Sequence, residues 1–78
     1  MYKTYRLDQG VYVWDRHCQV IRVGSVVFTN PPIHEAYITY RNDGRLHIAN
    51  KRDVYTSRRK AIRRAGMDDA KWEERYIY

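Results

Sequence analysis

Few side chains in this chain are spaced for chemistry. His17, His34 and His47 stand apart, and Cys18 beside His17 forms neither a CxxC nor an HxxxH pattern, so no metal site is expected. A nucleophile would have to be Cys18, Ser25 or Ser57, set against a histidine and an orienting acid. On an extended chain His17 and Cys18 point to opposite faces, which argues against a dyad, and Cys18 reads as a small structural residue. The paired carboxylates, Asp68-Asp69 and Glu73-Glu74, serve better as a helix cap or a solvated face. Gly10, Gly24, Gly44 and Gly66 are solitary, so no phosphate-cradling loop exists. With 78 residues a deep pocket is hard to build. The expectation is a non-enzymatic protein with no catalytic residues, no metal and no cofactor.

Binding is a stronger signal than catalysis. The net charge is +6, and five of the fifteen Lys and Arg fall within Arg58 to Arg64. Excess positive charge favours nucleic acid, acidic protein surfaces or anionic lipid. The stretch from Thr56 to Gly66 reads as a helix, with Thr56 or Ser57 as N-cap and Gly66 as a stop. At about 100° per residue, Ala61, Ile62 and Ala65 gather on one side. Arg59, Lys60, Arg63 and Arg64 spread over the opposite arc, with Arg58 at its edge. Arg58, Arg59 and Lys60 occupy the first turn, where the helix dipole favours anions and each cation costs a few tenths of a kcal/mol. Residues kept against that cost point to an anion supplied from outside.

Those cations need a scaffold. Tyr5-Arg6-Leu7 is extended, and Val11 to Trp14 is a strand with Val11 and Val13 inward and Tyr12 and Trp14 on the other face. Gln19 to Thr29 is the longest β-rich run. Its apolar parity changes near Gly24-Ser25, which predicts a bulge or bend there. Asn30-Pro31-Pro32 ends it. Glu35 to Arg41 forms a further strand. Asn42-Asp43-Gly44 marks a hairpin, and Arg45 to Ala49 returns with Leu46 and Ile48 inward and His47 outward. Val54-Tyr55 makes a short last strand. Beyond the helix, Asp68 or Asp69 caps a second short helix through Ala70 to Arg75, or Tyr76-Ile77-Tyr78 adds an edge strand; the pattern fits both. Trp72 and Tyr76 are placed to fold back over Tyr12 and Trp14.

The fold class is therefore mainly β with a C-terminal helix: a small curled antiparallel barrel of four or five strands plus one or two short helices. The order of Gly10 to Trp14, a long bent strand, the hairpin at Asn42-Asp43-Gly44, and Val54-Tyr55-Thr56-Ser57-Arg58-Arg59-Lys60-Ala61 resembles small SH3-like barrel proteins of phage and prophage type. The resemblance implies a single SH3-like domain over 1–78, with the barrel at about 5–56 and the helical segment at about 57–75. Members usually carry acidic residues after the Thr, where this chain has Arg58, Arg59 and Lys60. Such barrels are typically binding modules.

Arg and Lys supply sequence-independent affinity for phosphate, and aromatic rings stack on exposed bases. The expected site is Arg58, Arg59, Lys60, Arg63 and Arg64, with Arg52, Tyr12 and Trp14. Arg41, Arg45 and Lys51 extend it if the hairpin lies beside the helix. The partner is DNA or RNA. The rival is an acidic host protein surface, bound by a phage or mobile-element accessory protein. An uncovered edge strand would allow a dimer. No apolar run approaches the ~20 residues of a membrane span, and the helix's apolar side is too small for stable insertion. Met1-Tyr2-Lys3 leads into polar residues rather than a signal-peptide core, and no disulfide can form from one cysteine, so a cytoplasmic location is expected.

Overall fold

The computed structural model describes residues 4–28 and 36–78. The expectations at Met1-Tyr2-Lys3, Asn30-Pro31-Pro32, His34 and Glu35 lie outside the described residues. The protein is mainly β, an antiparallel half-barrel of five strands with one helix. β1 is Gly10–Asp15, β2 Val20–Phe28, β3 Tyr37–Asn42, β4 Arg45–Asn50 and β5 Val54–Tyr55. A 3-10 turn, Lys51–Asp53, leads into β5; α1 is Arg58–Asp68 and β6 is Tyr76–Ile77. The strand order is β4-β3-β2-β1-β5, and β6 pairs with β2.

Alternation along β1 serves two cores. Val11 and Val13 point into the half-barrel with Tyr5, Val26, Ile38, Tyr40 and Val54. Trp14 points the other way and packs with Ile21, Ala61 and Ala65, flanked by Tyr12, Tyr55, Ile62, Trp72 and Tyr76. The apolar parity change along β2 has the same origin. Ile21 lies under the helix, and Val26 faces the barrel interior, so the two halves of one strand bury opposite faces. Pairing with β1 runs unbroken from Asp15↔Val20 to Gly10↔Ser25, so no bulge sits at Gly24-Ser25 on that side. The irregularity falls against β3, between Val26 and Phe28. Gly24 has another reason to be glycine: a Cβ there would stand 2.1 Å from the Arg41 carbonyl oxygen.

The β3–β4 hairpin turns at Asp43 and Gly44, with φ of 53° and 71°. Two positive φ values in a two-residue loop suit the twist of the flanking strands. That turn sets the register and overturns the expectation for β4. Ile38 and Tyr40 face the core, so their partners Ala49 and His47 face it too. His47 stacks on Tyr40 at 5.3 Å, while Leu46 and Ile48 point outward, 55% and 56% exposed.

The tail takes the strand alternative. Residues 70–75 form a turn and irregular chain rather than a second helix, and β6 runs parallel beside Ile21 and Arg22 of β2. Buried Asn42 donates through Nδ2 to the carbonyls of Val23 and Ile77, at 2.9 and 2.8 Å, and so ties the tail to the sheet. Among the described residues no helix is long and apolar enough to cross a membrane.

Candidate nucleic-acid interface

The helix begins where Ser57 leaves extended geometry, its Oγ accepting the Lys60 N–H at 3.5 Å. Ala61 and Ala65 are fully buried on Trp14 and Ile21, and their small side chains let the helix sit close to the sheet. The helix runs past Gly66 to Asp68. A Cβ at Gly66 would meet nothing, and the end comes when the Asp69 N–H bonds the Ala65 carbonyl. With the alanine stripe inward, Arg59, Lys60, Arg63 and Met67 are turned to solvent.

The five helix cations divide by partner. Arg58 is engaged internally: its Nε donates to the Tyr76 hydroxyl at 2.9 Å, its guanidinium lies 4.7 Å from the centre of that ring, and Glu74 is 3.5 Å away. Arg64 lies on the flank, its Nε 3.7 Å from Asp68 Oδ1. Arg59, Lys60 and Arg63 have no acidic partner among the described residues. The first-turn cost read from the sequence is thus compensated at Arg58 and stands at Arg59 and Lys60.

Two of the expected residues play other parts. Trp14 is 2% exposed, its Nε1 donates to Asp68 Oδ2 at 2.7 Å, and Trp72 meets it edge to face. It has no free face for a base. Arg52 is exposed, but it lines a separate cleft of about 290 Å³ with Asp15, Arg16, His17, His47 and Asp53. Charges there are matched inside the protein: Arg16 bonds Asp53 at 2.6 Å and Arg22 bonds Asp15 at 3.0 Å. Burial pushes the Asp15 pKa up, but N–H bonds from Cys18 and His17 and the Arg22 guanidinium outweigh it and hold the carboxyl below its usual value. His17 and Cys18 sit in the β1–β2 turn rather than on a strand, and Cys18 is exposed. Among the described residues no group of three His, Cys, Asp or Glu is arranged to hold a metal.

Arg41 and Arg45 do not extend the helix face. α1 packs on β1 and β5, whereas the β3–β4 hairpin lies at the other end of the strand order. Lys51 is buried.

The aromatic residue that does reach the basic face is Tyr55, which the sequence reading passed over. Val54 is fully buried in the barrel, so strand alternation turns Tyr55 to the helix side. Tyr55 stands opposite Tyr12, the half-buried member of the expected aromatic pair. A groove of about 250 Å³ is lined by Tyr55, Lys60, Arg63, Arg64 and Met67. An adjoining hollow of about 370 Å³ shares Tyr55 and Lys60 and adds Thr4, Tyr5 and Thr56. Burial pushes the Tyr55 hydroxyl pKa up, with Arg64 pulling against it, so the ring stays neutral beside the cations. Its hydroxyl donates to the Arg52 carbonyl at 2.9 Å.

Comparison with protein-family models, with characterised proteins and with solved structures finds no match to this chain.

Proposed function

We propose that this chain is a non-enzymatic nucleic-acid-binding module of SH3-like build, gripping the phosphate backbone of DNA or RNA with the outer face of α1. The observation that carries the reading is the convergence of Arg59, Lys60 and Arg63 on one exposed face with no acidic partner among the described residues. Cations already neutralised by carboxylates gain little from phosphate; these three gain in full by displacing counterions. The SH3-like part rests on the antiparallel run of β1 to β4, the two-sided β2 and the return of β5 to β1.

Fluorescence anisotropy with labelled duplex DNA, single-stranded DNA and RNA over a salt series tests it. Three cations on phosphate give a log–log salt slope of about −2 to −3 and micromolar or tighter affinity at low salt. Replacing Arg59, Lys60 and Arg63 by Glu abolishes binding while the protein stays folded. Absence of binding to all three polymers at low salt refutes the reading.

A second reading, the accessory protein that binds a host protein, has one observation in its favour. Leu46 and Ile48 project from edge strand β4 and are more than half exposed. An exposed strand edge with apolar side chains is a ready site for pairing with another chain. Leu46→Lys with Ile48→Lys separates the readings: loss of a stoichiometric partner from nuclease-treated bacterial lysate, with nucleic-acid binding intact, favours this one.

A further inference from the structure

We infer that the nucleic acid taken by this face is single-stranded, and that it lies in the groove between α1 and β5 with a base stacked on Tyr55. The inference rests on the nucleic-acid reading and deepens it.

The first reason is the shape of the charged surface. Lys60, Arg63 and Arg64 border a groove with Tyr55 and Met67 among them, the methionine 72% exposed. A duplex turns only phosphates and groove edges outward, and its base faces are stacked on one another. It would meet the cations and leave the tyrosine and methionine unused. A single strand offers phosphates and base faces together, the combination that a cationic groove with an aromatic side chain binds.

The second reason is preorganisation. Tyr55 is held at both ends: its backbone pairs with Tyr12 of β1, and its hydroxyl bonds the Arg52 carbonyl. The ring also packs against the cluster around Trp14. A base therefore meets a ring already in place, and little side-chain freedom is lost on binding. The third reason is continuity. The hollow beside Thr4, Tyr5 and Thr56 opens from the same Tyr55 and Lys60, so the track runs on past the stacking residue. The hydroxyls of Thr4 and Thr56 supply polar contacts of the sort sugar and phosphate accept.

The test is anisotropy with a labelled oligothymidylate of about 12 nucleotides, within the range of single-strand site sizes, against a duplex of matched length at one ionic strength. The single strand binds at least about tenfold tighter than the duplex, and Tyr55→Leu, which keeps apolar bulk in the cluster, weakens single-strand binding about 5- to 100-fold, the loss of one base–aromatic stack. Tyr55→Phe, which keeps the ring but loses the hydroxyl bond that helps hold it, weakens single-strand binding much less than Tyr55→Leu, and duplex affinity is the same in all three. Duplex binding as tight as single-strand binding overturns the inference, as does a Tyr55→Leu variant of unchanged affinity. Both results leave the helix-face reading standing if Arg63→Glu still weakens binding. Failure of wild type to bind either probe at low salt overturns both.

Discussion

Trp14 and Trp72 meet edge to face, with ring centres 5.2 Å apart and planes at 79°. Each indole N–H is also committed: Trp14 to Asp68 at 2.7 Å, Trp72 to the Gln19 carbonyl at 2.7 Å. The pair joins the outer face of β1, the end of α1 and the tail. That makes the outer face of β1 a second core, and it leaves the far side of the helix and Tyr55 as what this side of the sheet presents.

Trp72→Ala removes the edge-to-face contact and one hydrogen bond. Trp72 is only half-buried, so the cost falls below that of a fully buried tryptophan, at about 2–3 kcal/mol. Urea unfolding followed by far-UV circular dichroism measures it. Nucleic-acid affinity, taken where both proteins are folded, stays the same. A folded variant that had lost affinity would put Trp72 in the interface.

Gly24→Ala tests the close approach of β2 to its neighbour β3. The new methyl would stand 2.1 Å from the Arg41 oxygen, 3.0 Å from its carbon and 3.2 Å from the Tyr40 ring. The first two atoms are backbone and can move only by parting the strands. The expected loss is at least about 2 kcal/mol. A variant within about 0.5 kcal/mol of wild type, as for an ordinary surface substitution, would mean that the strands do not approach so closely.

Particular residues explain what the sequence disclosed and what it hid. The Asp43-Gly44 turn was legible because positive φ at successive residues demands these residue types. The helix start at Ser57 and the inward Val11 and Val13 were legible because capping and alternation are local. The facing of Leu46 and Ile48 was not. Apolar character alone placed them inward, whereas the register dictated by Tyr40 and Ile38 placed His47 and Ala49 there. The tail was ambiguous because its strand depends on Asn42, which is 35 residues from Ile77. On the helix, spacing identified the exposed cations, but the exclusion of Trp14 and the arrival of Tyr55 depend on contacts between distant segments.

Tyr40 contributes to the loss of stability at alkaline pH. Burial pushes its hydroxyl pKa from 10.0 to about 12, with Arg22 pulling it down and Asp15 pushing it up. The folded state thus holds a proton that the unfolded chain releases near pH 10. Its contribution is fully present below pH 10 and is lost as pH rises towards about 12. The free energy of unfolding falls with pH across that window, and Tyr40→Phe, with nothing to titrate, shows a shallower decline. Equal slopes for the two proteins would show that Tyr40 ionises as freely folded as unfolded.

Arg58 and Arg63 share one helix and separate by role. Arg58→Ala releases the tail from the helix by removing the guanidinium that holds the Tyr76 ring and hydroxyl and Glu74. Amide hydrogen exchange at Tyr76 and Ile77 speeds up, while nucleic-acid affinity changes little. Arg63→Ala leaves tail exchange alone, lowers affinity for every sequence, and reduces the salt slope by about 1. An Arg58→Ala variant that weakened binding as much as Arg63→Ala would show that the Tyr76 contact gives way when nucleic acid arrives.

Arg59 and Lys60 allow the sharpest separation of function from folding. Both lie in the first turn of α1, which contains no acidic residue, and neither has an acidic partner among the described residues. The dipole there disfavours cations and favours carboxylates. Arg59→Glu with Lys60→Glu therefore stabilises the protein, by about 0.3–1 kcal/mol for each residue at low ionic strength. The same pair of changes removes two of the three exposed helix cations that have no acidic partner among the described residues and sets two negative charges in their place, so nucleic-acid binding falls below detection. Thermal unfolding and anisotropy on one preparation read both effects. A variant less stable than wild type would show that these cations serve the fold, and the argument that they are held for an external anion would fall with it.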